Sequence, residues 1–225
     1  METMTTTVRD RTRLIGTVAT ASGAALFAVI GSGLLGTTAP GEPDFVAQNV
    51  LGLSAAALLG LGIIGLRPSL QRLAGGRLLN WGLVMIWIGL GALAGGQILA
   101  IAAEDAQGAL LETAAIAGIP LTVAAHLIYL GTSLVGLALL RGRRAPIALG
   151  VLLTASLPLL LVGVPLGLAL GDGSLGGVVT WVSTEGQAGA AWVAVAVVEI
   201  SRLRSGGSPG SGAFAPNHPD LGHLS

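Results

Sequence analysis

The sequence predicts an all-α membrane protein, built as a bundle of six transmembrane helices with both termini in the cytoplasm. Composition argues against an ordinary soluble domain, because 52% of the residues are hydrophobic and only 10% are charged, whereas soluble domains carry about a quarter charged residues. Six apolar runs are long enough to cross a bilayer. The arginines are confined to alternate connections between those runs, which indicates the orientation of the chain.

An apolar run qualifies as a span by its length, since crossing about 30 Å of hydrocarbon takes roughly 20 helical residues. The predicted spans are Leu14–Gly36, Phe45–Leu66, Leu78–Ala103, Ala114–Leu140, Ala145–Leu170 and Gly177–Ile200. The fifth span contains Pro158 and Pro165, which delete backbone hydrogen bonds. A kinked or interrupted helix is therefore predicted there.

The first span shares one feature with a secretory signal peptide, because Arg9, Arg11 and Arg13 precede it. Its apolar stretch is longer than the core of a signal peptide, and Pro40 would follow the cleavage position. We therefore expect it to remain as the first transmembrane helix.

The charges predict the topology. All eleven basic residues are Arg, and they lie at 9–13, 67–77, 141–144 and 202–204. The intervening connections carry the acidic residues Glu42, Asp44, Glu104, Asp105, Glu112 and Asp172. The positive-inside rule then places both termini in the cytoplasm. Arg without Lys is typical of GC-rich coding, so we expect a bacterial cytoplasmic (plasma) membrane.

Three segments are predicted along the chain: a cytoplasmic N-terminal arm at 1–13, the transmembrane domain at 14–204 and a disordered cytoplasmic tail at 205–225. The tail is rich in Gly, Ser and Pro and lacks apolar periodicity. His218 and His223 lie in it without further ligands, so no metal site is predicted.

Motifs for catalysis and cofactor binding are missing from the sequence. It has no Cys, which excludes disulfides, thiolate nucleophiles and thiolate metal sites. It also lacks a phosphate-binding loop, a zinc-protease motif, a histidine pair suited to haem and a Lys for a retinal Schiff base. Ser156 and His126 are present, but no Gly-x-Ser-x-Gly surrounds the serine. We therefore predict no cofactor and favour a non-enzymatic protein.

Small residues recur every four positions along the first span and predict a helix-packing seam. The seam consists of Gly16, Thr20, Ala24, Ala28, Ser32 and Gly36. Because lipid is as apolar as Leu, membrane helices associate through close packing of small residues. The expected partners are the lipid bilayer and either a membrane protein or a second copy of this chain, and no nucleic acid.

A candidate polar site is predicted within the apolar region. It consists of His126, Glu185, Gln97, Tyr129 and Thr122. The three residues from the fourth span share one helix face, which Ser133 continues. Glu185 and His126 lie at comparable depth, and a charge at the bilayer centre costs ~2.5–3.5 kcal/mol on insertion scales. We therefore expect the two to be paired and to exchange a proton, which would suit proton coupling or pH sensing.

Two alternatives remain open for these residues. Glu185 could mark the start of a shorter helix, which would leave residues 171–185 as an outer loop and Trp181 as an interfacial anchor. His126 could be a structural residue, hydrogen-bonded to Thr122 or to a neighbouring helix.

The sixth span also carries Glu199, seven residues beyond Trp192 on the same helix face. Because Arg202 and Arg204 follow closely, we expect Glu199 at the cytoplasmic surface in an exposed ion pair. Such pairs contribute little to stability.

Three function classes follow from this pattern. The short connections and missing catalytic motifs favour a non-enzymatic structural, assembly or sensing bundle. A small transporter, channel or proton-coupled carrier is the first alternative, with the polar residues as its site. An intramembrane lipid-modifying enzyme is the second, with His126 and Glu185 as acid and base.

Overall fold

The fold is entirely helical in the residues that the computed structural model describes, which are 2–32, 44–104, 109–171 and 174–206. Its elements are α1 (Glu2–Gly31), α2 (Phe45–Leu73), α3 (Arg77–Ala102), α4 (Ala109–Ala125), α5 (Leu127–Gly142), α6 (Ile147–Thr154), α7 (Ser156–Ala169), α8 (Ser174–Trp181), a π-helical turn (Val182–Gly186) and α9 (Gln187–Gly206). The predicted all-α class is therefore confirmed. Most of the predicted N-terminal arm belongs to α1, while Gly36 and most of the predicted tail lie outside the described residues.

Several helices are suited to a membrane. Four stretches within the described part of the chain are long and apolar enough to cross one, namely Arg11–Gly31, Phe45–Leu73, Arg77–Ala102 and Glu112–Gly142. The bent pair of α6 and α7 makes a fifth if it is counted as one span. The sixth predicted span is divided among α8, the π turn and α9. A multi-pass membrane protein is supported, and the number six stays a prediction.

α1 packs lengthwise against α2 through small residues. A Cβ atom built on Gly16 would lie 2.7 Å from the Gly65 Cα, and one built on Gly23 would lie 2.4 Å from the Leu59 nitrogen. Thr20 lies between these two contacts and is fully buried. The spacing of 16, 20 and 23 follows the helical repeat and keeps one face of α1 on α2.

The predicted seam on α1 lies against two neighbours rather than one. Each four-residue step advances about 40° around a helix, so the seam winds from one face to another. Gly16 and Thr20 therefore contact α2, whereas Ala24 and Ala28 lie against Gly189 of α9. Close backbone packing thus joins the first and last helices of the bundle.

Towards the C-terminal end of α1, the seam residue Ala28 also contacts α8. The Trp181 indole N–H donates to the Ala28 carbonyl at 2.7 Å. Trp181 therefore connects two helices, and it ends α8 rather than lying in an outer loop. Near the end of α1, the Ser32 hydroxyl donates to the Val29 carbonyl at 2.6 Å.

α5 lies in the middle of the bundle. A Cβ atom on its Gly131 would lie 2.5 Å from the Gly82 carbonyl oxygen, so α5 and α3 touch backbone to backbone. From α9, the indole of Trp192 is 1% exposed and donates to the Thr132 hydroxyl at 3.1 Å. α5 therefore packs directly on α3 and is bonded by one side chain from α9.

The fifth predicted span is interrupted, as its prolines predict. α6 ends at Thr154, α7 begins at Ser156, and the two helices are bent by 41°. Pro158 has no N–H for the Thr154 carbonyl, so that carbonyl needs another donor. Ser133 of α5 donates to the Thr154 carbonyl at 2.9 Å and accepts the Leu157 N–H at 2.8 Å. The bend is therefore closed by a side chain from a neighbouring helix.

Glu199 lies in the interior, so the prediction of an exposed surface pair is wrong. It is 3% exposed, on the face of α9 that also buries Trp192. The Arg13 side chain of α1 donates to its carboxylate, from Nη2 and from Nε at 3.1 Å. The Ser69 hydroxyl of α2 donates to the same oxygen at 2.7 Å. Packing of α1 onto α9 brings in a partner that sequence proximity did not indicate.

Candidate functional site

A cavity of about 490 Å³ lies among α1, α2, α3, α4, α5 and the π turn. Phe45 at the start of α2 and Glu104 just beyond α3 both line it. The cavity therefore lies towards the end of the bundle that carries the acidic connections. Glu199 and Arg13 lie away from it, in the halves of α9 and α1 that are farther from the cavity.

Glu185 lines the cavity from the π turn between α8 and α9. Within that turn Thr184 departs from helical geometry, with φ −121° and ψ −105°. A π turn adds a residue to a helical stretch, changes the direction of nearby side chains and is frequent at functional sites. Glu185 is half-buried in this turn, so it does not lie in the outer loop that the sequence left open.

Two glycines leave the room that polar side chains occupy at the cavity. A Cβ atom on Gly31 of α1 would lie 2.6 Å from the Cβ and the Cγ of Glu185. One on Gly52 of α2 would lie 2.9 Å from the Cδ of Gln97. Any larger residue at either position would displace the polar side chain that packs on it.

Tyr129 connects α5 to the carboxylate of the π turn. Its side chain is 5% exposed and lies close enough to the Glu185 carboxylate and the Thr184 hydroxyl to interact with both. The Thr184 hydroxyl also donates to the Glu185 carboxylate. These hydroxyl groups satisfy acceptor positions on the carboxylate without bringing a positive charge to it.

His126 lies at the break between α4 and α5. Its ring centroid is 6.1 Å from that of Tyr129, and its Nδ1 lies 2.7 Å from the Thr122 carbonyl. A carbonyl only accepts, so Nδ1 carries a proton, and Nε2 of the neutral ring is an acceptor. The bond to Thr122 matches the structural alternative for His126, while its side chain also lines the cavity.

The structure brings all the candidate site residues to the wall of this one cavity: His126, Glu185, Gln97, Tyr129 and Thr122. Ser133, from the same predicted face of the fourth span, lies instead at the α6–α7 bend. Ser133 lies one turn beyond Tyr129 on α5, where the α6–α7 bend packs against that helix.

Several lining residues were not among the predicted site residues, in particular Phe27, Phe45 and Glu104. The chain contains only three Phe, and two of them meet here. The scarcity of aromatic residues was visible in the sequence, but their convergence depends on how α1 and α2 pack.

The chemistry of the cavity is that of a binding site with few polar groups. Its wall is mostly apolar, with hydrogen-bonding side chains from several helices, which is typical of small-molecule sites. Within the described ranges no three His, Asp or Glu side chains lie close enough together to hold a metal ion. The wall can hold an apolar molecule and offer acceptors to its polar end.

Comparison of the chain with protein-family models, with curated proteins and with solved structures finds no match. The cavity and the residues around it are therefore the features of this chain that bear on its function. A fold alone does not determine a function, whereas the geometry and charge of a site restrict the ligands that it can accept.

Proposed function

We propose that this protein is a non-enzymatic, multi-pass membrane protein that binds a small, largely apolar molecule in the cavity and carries it across the membrane. The observation that supports it is that seven polar residues, among them all five candidate site residues, surround about 490 Å³ of unfilled space. Protein interiors are normally close-packed, so a bundle with a purely structural role has no use for such a space.

Breaks in the helices support a carrier in preference to a rigid receptor. Glu185 lies in the π turn that separates α8 from α9, and His126 lies at the one irregular residue within the continuous Glu112–Gly142 stretch. Interrupted helices at a cavity are a recurring feature of transporter sites, because their ends can reorient around a bound molecule.

The far end of the bundle is closed by tight contacts, which fits a carrier open on one side. The Arg13–Glu199 pair and Ser69 fasten α1, α2 and α9 there. A Cβ atom on Gly142 would lie 2.4 Å from the Leu73 carbonyl oxygen, so α5 and α2 also touch at that end. With the arginine-rich end in the cytoplasm, the cavity would open to the outside.

The proposal includes the topology of the carrier and the membrane that contains it. We infer six spans with both termini in the cytoplasm, in a bacterial cytoplasmic membrane, from the arginine distribution. The α1–α2 and α1–α9 contacts support the seam as an internal packing surface. A homo-oligomer or a partner membrane protein would then use other faces.

The test uses single cysteines, since the natural chain has none. Ala100→Cys places a thiol at the cavity wall, and Ile98→Cys places one on an exposed face of the same helix. A water-soluble thiol reagent added outside intact cells should modify position 100 and leave position 98, in lipid, unmodified. Equal reaction at both positions, or none at position 100, would remove the basis of the proposal.

A second measurement separates a carrier from a sensor. In inverted membrane vesicles, a carrier that alternates between two states should also expose position 100 to the reagent from the cytoplasmic side. Reaction from the outer side alone would favour a ligand sensor, which is the other function that an open cavity supports.

A further inference from the structure

We infer that the cavity binds a lipophilic cation, meaning an apolar molecule that carries a single ammonium-type positive charge. This inference rests on the proposed ligand-binding function and specifies the class of ligand. The observations that support it are the charge of the cavity wall, the uncharged partners of Glu185 and the aromatic residues of the lining.

The charged side chains of the described cavity wall are acidic. Glu104 and Glu185 line the cavity, none of its described lining residues is Arg, and the chain contains no Lys. His126 also lines the cavity, and with Nδ1 directed at the Thr122 carbonyl its Nε2 is left as an acceptor. The two carboxylates and this nitrogen would attract a bound cation, whereas the carboxylates would repel an anion.

The two shielded carboxylates of α9 and its π turn differ in their partners. Glu199 binds the guanidinium of Arg13. Glu185 instead contacts the hydroxyl groups of Thr184 and Tyr129, which carry no charge. An ionised carboxylate that is removed from water needs a counter-charge, and a cationic ligand in the cavity would provide it.

Aromatic rings add a second attraction for a cation. Phe27, Phe45 and Tyr129 line the cavity from three different helices. The face of an aromatic ring attracts a positive charge, most strongly where water is excluded, and sites for quaternary ammonium ligands use several such rings.

The remaining wall accounts for the lipophilic part of the ligand. Leu93, Leu99 and Leu121 line the cavity, together with several Ala. Apolar side chains favour the burial of an apolar body of drug-like size, which a cavity of this volume can accommodate. A small hydrated cation would leave these surfaces without a partner.

The experiment measures equilibrium binding to the full chain in lipid nanodiscs, with empty nanodiscs subtracted. The probes are tetraphenylphosphonium, which is a lipophilic cation, tetraphenylborate, which is an anion of nearly the same shape, and triphenylphosphine oxide, which is neutral. We expect the cation to bind at least about tenfold more tightly than either of the other two.

Two variants test where the cation binds, and a third is their control. Glu185→Gln and Glu104→Gln should each weaken tetraphenylphosphonium binding by about tenfold, while leaving binding of the neutral probe within a factor of about two. Glu112→Gln is the matched control, because Glu112 is exposed on α4 and does not line the cavity. It should bind all three probes like the natural chain. If Glu185→Gln fails to fold, Glu104→Gln alone decides the outcome.

The outcomes separate this inference from the proposed function. Equal binding of the neutral and cationic probes, insensitive to both carboxylate variants, would overturn the cation inference and keep a binding cavity. No binding of any probe, or binding that Ala115→Trp in the cavity wall leaves unchanged, would overturn both. Stronger binding of the borate would also overturn the cation inference.

Discussion

Arg13 and Glu199 are 186 positions apart in the chain, and their side chains form a buried ion pair. The Ser69 hydroxyl donates to the same carboxylate oxygen at 2.7 Å, and Arg72 donates to that hydroxyl at 3.0 Å. One carboxylate therefore joins α1, α2 and α9. This end of the bundle is held by polar contacts, while the opposite end contains the cavity.

Removing one partner of this pair should destabilise the protein strongly. Arg13→Gln removes the guanidinium that binds the buried Glu199 carboxylate, at a cost of ~3–5 kcal/mol, and Glu199→Gln removes the charge from the same contact. The measurement is thermal or denaturant unfolding in a mild detergent, with the exposed Arg204→Gln as the matched control. The double variant should lose less than the sum of the single losses. Effects no larger than that of Arg204→Gln would contradict a buried pair.

Adding one methyl group should separate the glycines that pack from those that do not. Gly23→Ala forces its Cβ against the Leu59 backbone and should cost ~1–3 kcal/mol of stability. Gly91→Ala is the control, because a Cβ there meets nothing within 4 Å. It should leave the unfolding midpoint unchanged or slightly raised, since Ala is the better helix former. Equal losses at both positions would mean that α1 does not pack on α2 at Gly23.

Ser133 should stabilise the protein, because its hydroxyl bonds to two backbone groups at the α6–α7 bend. Ser133→Ala removes the donor to the Thr154 carbonyl and the acceptor of the Leu157 N–H, at ~1–3 kcal/mol for each buried group left unpaired. Ser201→Ala is the control, since its exposed hydroxyl bonds only within its own helix. Pro158→Ala restores an N–H and should reduce the loss caused by Ser133→Ala. If Pro158→Ala leaves that loss unchanged, the hydroxyl has another role.

Glu185 and His126 should act together through Tyr129. Single variants Glu185→Gln and His126→Ala are each expected to weaken binding of tetraphenylphosphonium. Their double variant should depart from additivity by ~0.5–3 kcal/mol, as residues of one network do. Glu185→Gln combined with the distant Glu112→Gln should be additive. Additivity in both pairs would show that the cavity brings His126 and Glu185 together without coupling them.

The topology can be tested independently of the cavity. Cysteines at Glu42, Asp105 and Asp172, which lie outside the described residues, should react with a membrane-impermeant thiol reagent added outside intact cells. Cysteine at Arg143, in an arginine-rich connection, should react only after the membrane is opened. Reaction of Arg143→Cys in intact cells, or protection of the three acidic positions, would reverse the predicted orientation.

The helices and their interruptions could largely be predicted from the sequence, because they depend on local properties of each stretch. Apolar length located α2 and α3 to within a few residues at most boundaries, since the cost of exposing a backbone to lipid acts along each stretch separately. Pro158 predicted the bend between α6 and α7, since a missing N–H is a property of one residue. The helix face that carries Glu199 was also predictable, because the helical repeat aligns it with Trp192.

Tertiary structure alone decided the partners of those residues. Any of eleven arginines could have met Glu199, and Arg13 does so because α1 packs against α9, far along the chain. Likewise Glu185, Gln97 and Phe45 meet at one cavity that belongs to no single segment. Its space is what remains after six elements have packed on one another, and residues distant in sequence determine that packing. The sequence therefore determined which side chains are polar within apolar helices, and the tertiary structure decided which of them face the cavity.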